Sequence, residues 1–284
     1  MKLLYSLFLI GLAGVVCAQP KKNKNPLIGS WELVKYVNHA ANGTDWESYG
    51  EEIVYQKHIS DAHFSWVRYD KSKDQLIGMG GGSYTIDNKG RYIEDIQFFY
   101  PPGSSELGQN IPFEMYLNMG KWLHTGYAKE MGFNAEGEVV VMDSTKIEEE
   151  WRAIPEGENN FDLIGTWELE SYREKMGGSM FEYPEFIVYT KLITATHFMW
   201  IQYDSEGDQV YALGAGEYSY DGNEYIENLE VTYPQGLNVN GMSISFTPVV
   251  NVNKWVHKQK SVHAVGDSLF IDEIWVLKEA IVSE

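Results

Sequence analysis

Residues 196–204, THFMWIQYD, repeat the pattern of residues 62–70, AHFSWVRYD, 134 positions earlier in the chain. Both segments read His-Phe-x-Trp-x-x-Tyr-Asp, with the aromatic and β-branched side chains that favour a strand. The Asp at the end of each segment is suited to a turn. Two copies of so unusual a phrase indicate that a larger unit is repeated.

The repeat extends over nearly the whole chain. Further matched segments are LIGSWELVKY (27–36) with LIGTWELESY (163–172), 136 positions apart, GGGSY (80–84) with GAGEY (214–218), 134 apart, and KWLH (121–124) with KWVH (254–257), 133 apart. A nearly constant offset means that the copies are colinear and that each is the size of a small domain. We therefore predict two similar domains in tandem, at 27–154 and 161–284, joined by a polar linker at 155–160.

Each copy has the pattern of an antiparallel β domain. Short apolar runs alternate with turn signals such as DNKG (87–90) and YDGN (220–223), and long helical periodicity is absent. A parallel sheet would need crossover helices, for which the sequence has no room. We predict an all-β chain in which each copy closes into an up-and-down barrel, because closure leaves no exposed sheet edge.

The openings Gly29-Ser30-Trp31 and Gly165-Thr166-Trp167 resemble the G-x-W signature of lipocalins. With HF-x-W-x-x-YD, G-x-G-x-Y and KW-x-H, both copies resemble the bacterial lipocalin-like domains found in exported proteins of unknown function. The resemblance implies a barrel with the Trp at its closed end. It implies little about activity, since barrels of this shape bind lipids, pigments or haem and a few are enzymes.

The first 18 residues are typical of a secretory signal peptide. Lys2 provides a basic start, and Leu3 to Val16 form an apolar core too short to anchor the chain across a membrane. The small residue Ala18 is suited to a cleavage site. We therefore predict an exported protein, periplasmic or secreted, whose mature chain begins at Gln19.

Cys17 is the only cysteine in the sequence. It offers an alternative, a lipoprotein acylated at Cys17, against which the bulk of Val16 immediately before it argues. Cleavage after Ala18 would leave a basic linker at 19–26 and no cysteine. The mature protein would then have no disulfide, no thiol nucleophile and no cysteine metal ligand, unlike classical lipocalins, which often carry disulfides.

The formal net charge of −19 limits the possible partners. Both copies are acidic and would repel a phosphate backbone, so we do not expect nucleic-acid binding. His58 and His63 are five apart and would face opposite sides of one strand, which is not a metal-ligand spacing. We predict neither a metal nor another cofactor, and nothing in the sequence identifies a protein partner.

Alternate residues of a strand share a face, so the repeated phrase divides into two sets. In the first copy Phe64, Trp66 and Arg68 share one face. The corresponding residues of the second copy are Phe198, Trp200 and Gln202. Both faces mix apolar and polar residues, but two bulky rings with one polar tip suit a ligand cavity, so we expect this face to point inward. The alternative is that these rings only fill the core.

Two further strands add a polar residue each. Tyr92 and Glu94 share a face, as do Trp122 and His124. The second copy repeats them as Tyr225, Glu227, Trp255 and His257. A Glu and a His inside one barrel would orient a ligand or move protons. The alternative places the Glu outward and the His at a strand end.

These patterns lead to three hypotheses about function. The first is a protein that binds a small, largely apolar ligand in one or both barrels. The second is an isomerase, cyclase or hydrolase that uses the interior Glu and His, although no nucleophile motif supports it and we name no catalytic residue. The third is a non-catalytic interaction module with filled barrels.

The glycine-rich run GMGGGSY (78–84) has a simpler explanation than a phosphate-binding loop. It lacks the Lys-Ser/Thr pair and the helix start that such a loop requires. We expect it to permit a bulge or a sharp bend in a barrel strand.

Overall fold

The computed structural model describes residues 25–39, 43–134, 137–157, 159, 161–175, 177–235, 241–251, 253–262 and 271–278. The predicted signal peptide and its alternative acylation site lie outside these residues. The regular structure is almost entirely antiparallel β-strand, with a short 3-10 helix at Phe161–Leu163 before the second repeat. No helix within the described ranges is long and apolar enough to cross a membrane.

The first repeat forms one closed barrel. Its strands are β1 (Gly29–Val37), β2 (Trp46–Glu47), β3 (Ile53–Ile59), β4 (His63–Asp70), β5 (Gln75–Ile86), β6 (Tyr92–Tyr100), β7 (Asn110–Asn118), β8 (Lys121–Phe133) and β9 (Val139–Ala153). From β3 to β9 each strand pairs with the next, and β1 closes the ring by pairing with both β3 and β9. The two-residue β2 pairs only with the end of β1.

The second repeat forms another closed barrel. Its strands are β10 (Gly165–Tyr172), β11 (Ile187–Ile193), β12 (His197–Asp204), β13 (Val210–Tyr220), β14 (Tyr225–Tyr233), β15 (Ser243–Asn251), β16 (Lys254–Val262) and β17 (Asp272–Leu277). Neighbouring strands pair in chain order, and β10 pairs with β17. The prediction of an all-β chain with two tandem antiparallel barrels is therefore confirmed.

The predicted turn signals act through short side chains. After β5, one oxygen of Asp87 accepts hydrogen bonds from the backbone N–H groups of Lys89 and Arg91, both at 2.9 Å, and Gly90 takes φ +79°. A positive φ of this kind favours glycine. The polar turn thus reverses the chain between two strands of the barrel wall.

The glycine-rich strand makes room for a neighbouring indole and carries a bulge. The β5–β6 register shifts between Gly81 and Gly82, as the sequence led us to expect. A Cβ on Gly80 would lie 2.9 Å from Nε1 of Trp66, and a Cβ on Gly214 would clash with Trp200. Glycine at these two equivalent positions therefore lets a tryptophan lie flat against the inside of each barrel.

Each barrel has its own core. Trp31 and Trp167, the tryptophans of the two G-x-W openings, are buried, and each donates an Nε1–H hydrogen bond of 2.8 Å to the carbonyl of Leu27 or Leu163. Around them pack the largest buried side chains of the barrels, including Trp122, Trp151, Trp255 and Trp275. The tryptophan thus ties the chain entering each barrel to the core.

A third apolar cluster lies between the barrels and joins equivalent strands. Its buried members are Val67, Tyr69, Leu76, Met79, Phe98, Met199, Ile201, Tyr203, Val210, Leu213, Ala215 and Val231. They come from the outer faces of β4, β5 and β6 and of their counterparts β12, β13 and β14. Both faces of β4 and β12 are therefore buried, one inside a barrel and one between barrels, which explains their mixed sequence pattern.

The inter-barrel contact is nearly two-fold symmetric. Ser30 Oγ lies 2.7 Å from Thr194 Oγ1, and Ser60 Oγ lies 2.8 Å from Thr166 Oγ1. Since Ser30 corresponds to Thr166 and Ser60 to Thr194, the two hydrogen bonds are the same contact made twice. Such self-complementarity is the mark of an isologous interface, here within one chain.

Candidate functional site

A cavity of about 210 Å³ lies inside the first barrel. It is lined by Tyr55, Lys57, Trp66, Arg68, Glu94, Phe99, Glu106, Phe113, Ile147 and Glu149. These residues come from β3, β4, β6, β7 and β9 and from the loop between β6 and β7. We call this space the barrel-1 cavity. It combines aromatic walls with two basic and three acidic side chains.

A buried ion pair forms one part of the lining. Lys57 Nζ lies 2.6 Å from Glu94 Oε1, and both side chains are almost completely buried. Aromatic rings surround the ammonium, with the centroid of Trp151 at 5.1 Å and that of Trp122 at 5.4 Å. Burial of either charge alone would be costly, so each residue stabilises the other in place.

Glu149 is held by two hydrogen-bond donors. Its Oε2 lies 2.6 Å from His124 Nε2 and 3.1 Å from Trp151 Nε1. Burial and the charge of Lys57 lower the pKa of His124, which keeps the ring neutral at pH 7. Burial would raise the pKa of Glu149, but the His124 hydrogen bond and the Lys57 charge outweigh it and lower that pKa. A neutral imidazole N–H thus donates to a carboxylate.

Arg68 also lines the barrel-1 cavity. Its Nη1 donates a 2.8 Å hydrogen bond to the Tyr49 hydroxyl, and its guanidinium lies over the rings of Tyr49 and Tyr55 at 5.6 and 5.5 Å. Arg68 and Glu149 line the same cavity but form no ion pair with each other. Tyr49 is the hydrogen-bond partner of Arg68 instead.

Glu106 comes from the β6–β7 loop and lines the same cavity. Burial, and then the charges of Glu94 and Glu149, raise the pKa of Glu106 to about 7. The charge of Lys57 opposes this shift. Three carboxyl groups therefore share one small space, and the one from the loop gains or loses its proton near neutral pH.

The second barrel repeats the inner part of this arrangement. Lys191 Nζ lies 2.7 Å from Glu227 Oε1, and His257 Nδ1 lies 3.3 Å from Glu273 Oε2. Gln202 replaces Arg68, and the residues that correspond to the loop around Glu106, 236–240, lie outside those described. The polar cluster is therefore a duplicated feature, whereas Arg68 distinguishes the first barrel.

The sequence-predicted residues fall into two groups. Trp66, Arg68 and Glu94 line the barrel-1 cavity, while Phe64, Tyr92, Trp122 and His124 are buried in the core around it. In the second barrel, Phe198, Tyr225, Glu227, Trp255 and His257 are buried, and Trp200 and Gln202 are half-buried.

Sequence reasoning missed Lys57, Glu106 and Glu149 as members of one site. Lys57 stands two positions after Tyr55 in the repeated segment IVY-x-K, so strand alternation could have placed both on the inner face. Glu149 also alternates with the buried Trp151. Glu106 lies in a loop and carried no signal of this kind.

Among the residues that the structure describes, no three His, Cys, Asp or Glu side chains converge in a way that could hold a metal ion. Two ring nitrogens beside the barrel-1 cavity, Trp122 Nε1 and His124 Nδ1, are buried without a hydrogen-bond partner in that same part of the chain. Their counterparts Trp255 Nε1 and His257 Nε2 share this property. The rings are therefore fixed by packing, chiefly against each other and against Phe113 or Phe246.

Comparison with known proteins adds little. No protein-family profile matches the sequence. No curated protein matches it either. A solved structure of a protein of unknown function from the DUF3598 family of Nostoc punctiforme is similar over 90% of this chain and 96% of that one, with 10% sequence identity and a TM-score of 0.22. A similarity this weak carries no argument about function.

Proposed function

We propose that this is an exported, lipocalin-like tandem protein whose first barrel binds a small molecule with a largely apolar body. The barrel-1 cavity carries the proposal, since it lies inside a closed barrel and joins aromatic walls to a few convergent polar groups. Ligand sites have this character in general. The duplicated G-x-W openings, with their buried tryptophans, support the lipocalin-like assignment.

The size and walls of the cavity limit the ligand. At about 210 Å³ the space equals roughly seven water molecules, so it accepts only a small ligand. The rings of Tyr55, Trp66, Phe99 and Phe113 line it. Affinity would come from apolar ligand surface buried on these rings, at about 25 cal/mol per Å².

Native mass spectrometry of the full chain, purified from its own source, tests the binding proposal. We expect a bound small molecule in the wild type and in Ile271→Trp, which alters the equivalent position of the second barrel. Ile147→Trp fills the barrel-1 cavity and should abolish the adduct. An adduct that survives Ile147→Trp, or its absence from the wild type, would refute binding at this site.

Export rests on the sequence alone and has its own test. Lys2, the apolar core and Ala18 support cleavage by signal peptidase. The intact mass of the exported protein should correspond to a chain that begins at Gln19. A lipid-modified chain that begins at Cys17, and is lost in Cys17→Ser, would show the lipoprotein alternative instead.

One observation favours a second candidate, an enzyme that uses the same site. Glu149 is oriented by His124 and Trp151 and lies in one cavity with Glu106, whose pKa of about 7 suits proton transfer at neutral pH. If the protein is an enzyme, the ligand identified above should change in mass or isomeric form on incubation with the wild type but not with Glu149→Gln. An unchanged ligand would leave binding as the function.

A further inference from the structure

The two basic groups of the barrel-1 cavity both hold its walls. Lys57 is paired with Glu94 at 2.6 Å. Arg68 donates through Nη1 to Tyr49 and lies against two tyrosine rings, while its Nε is buried without a hydrogen-bond partner within the ranges that the structure describes. An anionic ligand would have to displace Glu94 to reach Lys57, and would find one buried unpaired N–H on Arg68.

Two of the acidic groups in the cavity keep carboxylate oxygens that accept no hydrogen bond from the described part of the chain. Glu149 accepts its hydrogen bonds through Oε2, and among the described residues no donor reaches the carboxyl group of Glu106. With every group ionised, the three carboxylates outnumber the two basic side chains by one. The cavity thus offers unused acceptor oxygens and one surplus negative charge.

The aromatic walls favour the same kind of ligand. Tyr55, Trp66, Phe99 and Phe113 surround the acidic groups, and aromatic faces attract organic cations. A metal ion is a poor alternative, because no metal-binding group of three ligand side chains occurs in the described part of the chain.

We infer that the ligand of the first barrel is a small organic cation, a protonated amine on an aromatic or aliphatic body, whose ammonium group lies between Glu106 and Glu149. This inference rests on the proposed function and specifies its ligand. The repulsion that Glu94 and Glu149 exert on ionised Glu106 is offset when the ammonium enters. The apolar body lies against Trp66 and Phe99.

A matched set of probes tests the charge requirement. Isothermal titration calorimetry of the full-length protein would use 2-phenylethylamine, 2-phenylethanol and 3-phenylpropionate, which share a ring and differ in charge. We expect the amine to bind about tenfold or more tightly than the alcohol, because one charge-assisted hydrogen bond contributes that much. The carboxylate should bind most weakly.

Single substitutions locate the charge. Glu106→Gln and Glu149→Gln should each weaken amine binding about tenfold and leave alcohol binding unchanged. The matched control Glu273→Gln, in the second barrel, should leave both unchanged. Circular dichroism of each variant would establish that it is folded, and Glu106→Gln, in a loop, is the safer of the two.

The outcomes distinguish failure of the cationic-ligand inference from failure of the proposed binding pocket. Equal binding of amine and alcohol, preferred binding of the carboxylate, or indifference to both glutamate variants would overturn the cationic ligand but keep a pocket. If none of the probes binds and Ile147→Trp also leaves the native adduct unchanged, both the cationic ligand and the pocket are refuted.

Discussion

Tyr100 and Tyr233 stand at equivalent positions in the two repeats, and their rings pack against each other with centroids 4.8 Å apart. A residue that contacts its own counterpart lies on a symmetry axis. The paired hydroxyl contacts Ser30–Thr194 and Ser60–Thr166 lie off this axis, as they would in a symmetric dimer. The barrels are therefore joined by one surface used twice.

The first prediction concerns these two hydroxyl contacts. Ser30→Ala and Ser60→Ala should each lower the free energy of unfolding by about 1–3 kcal/mol, because each removes a buried hydroxyl with two or more hydrogen-bond partners. In double-mutant cycles Ser30→Ala should couple with Thr194→Val but be additive with Thr166→Val. Urea denaturation of the single and double variants measures the unfolding free energies from which each coupling energy is calculated. Coupling across the two contacts would contradict their independence.

Acid should destabilise the same interface. His58 and His197 stack at 5.2 Å between the barrels, and burial lowers the pKa of His197 to about 4. Burial, and then the charge of His197, also lowers the pKa of His58 well below its usual range. Between pH 6.5 and 4 the unfolded chain binds more protons than the folded one, so stability falls as the pH falls.

Removing His197 tests this pH dependence. The lowered pKa of His197 alone corresponds to a loss of about 3 kcal/mol of unfolding free energy between pH 6.5 and pH 4. Chemical denaturation of His197→Gln at pH 7 and pH 4 should show a correspondingly smaller loss than the wild type. An equal loss of stability between pH 7 and pH 4 in His197→Gln and in the wild type would show that His197 does not cause this pH dependence.

Removing one partner of the buried Lys57–Glu94 pair should destabilise the protein more than replacing both partners with apolar residues. Lys57→Met leaves Glu94 charged and unpaired and should lower the unfolding free energy by about 3–5 kcal/mol. Lys57→Met with Glu94→Leu should recover most of this loss. Lys191→Met and Glu227→Leu provide the same comparison in the second barrel. A single variant as stable as the double variant would mean that Glu94 is not buried as described.

The glycines beside the indoles should not tolerate a methyl group. Gly80→Ala places a Cβ 2.9 Å from Trp66, and overpacking of this kind costs about 1–3 kcal/mol. Gly78→Ala is the control, since its Cβ would come no closer than 3.4 Å to any heavy atom beyond its chain neighbours. Thermal unfolding and tryptophan fluorescence should therefore change in the first variant far more than in the second.

Binding of the amine probe should depend on pH through Glu106. Burial, Glu94 and Glu149 raise the pKa of Glu106 to about 7, and Lys57 opposes them. Affinity for 2-phenylethylamine should therefore rise about tenfold from pH 6 to pH 8, as Glu106 ionises. Glu106→Gln should remove this rise. A wild-type affinity that is flat over this range would show that Glu106 does not face the ammonium.

The fold could be predicted because the repeat, the turn residues and the G-x-W openings all depend on local sequence. The orientation of β4 was harder, since Val67 and Tyr69 are buried against the second barrel while Trp66 is buried within the first. Alternation marks one buried face only when the other faces water. A sequence pattern alone could not separate the two.

The polar members of the site were harder still. Lysine is rarely buried, so the sequence alone gives no reason to place Lys57 inside the barrel, where its ion pair with Glu94 stabilises it. Glu106 depends on how the β6–β7 loop folds over the barrel, which no periodicity describes. Glu94 and His124 alternate with aromatic residues in both copies, which suggested an inward position but did not exclude an outward one.

Covalent fusion of two self-complementary barrels has a consequence for specificity. In a dimer of identical chains every substitution appears on both sides of the axis, so the two interiors cannot differ. In this chain Arg68 of the first barrel corresponds to Gln202 of the second, while the surface between the barrels remains complementary. The interior of one barrel can therefore change by substitution while the other barrel continues to stabilise the interface between them.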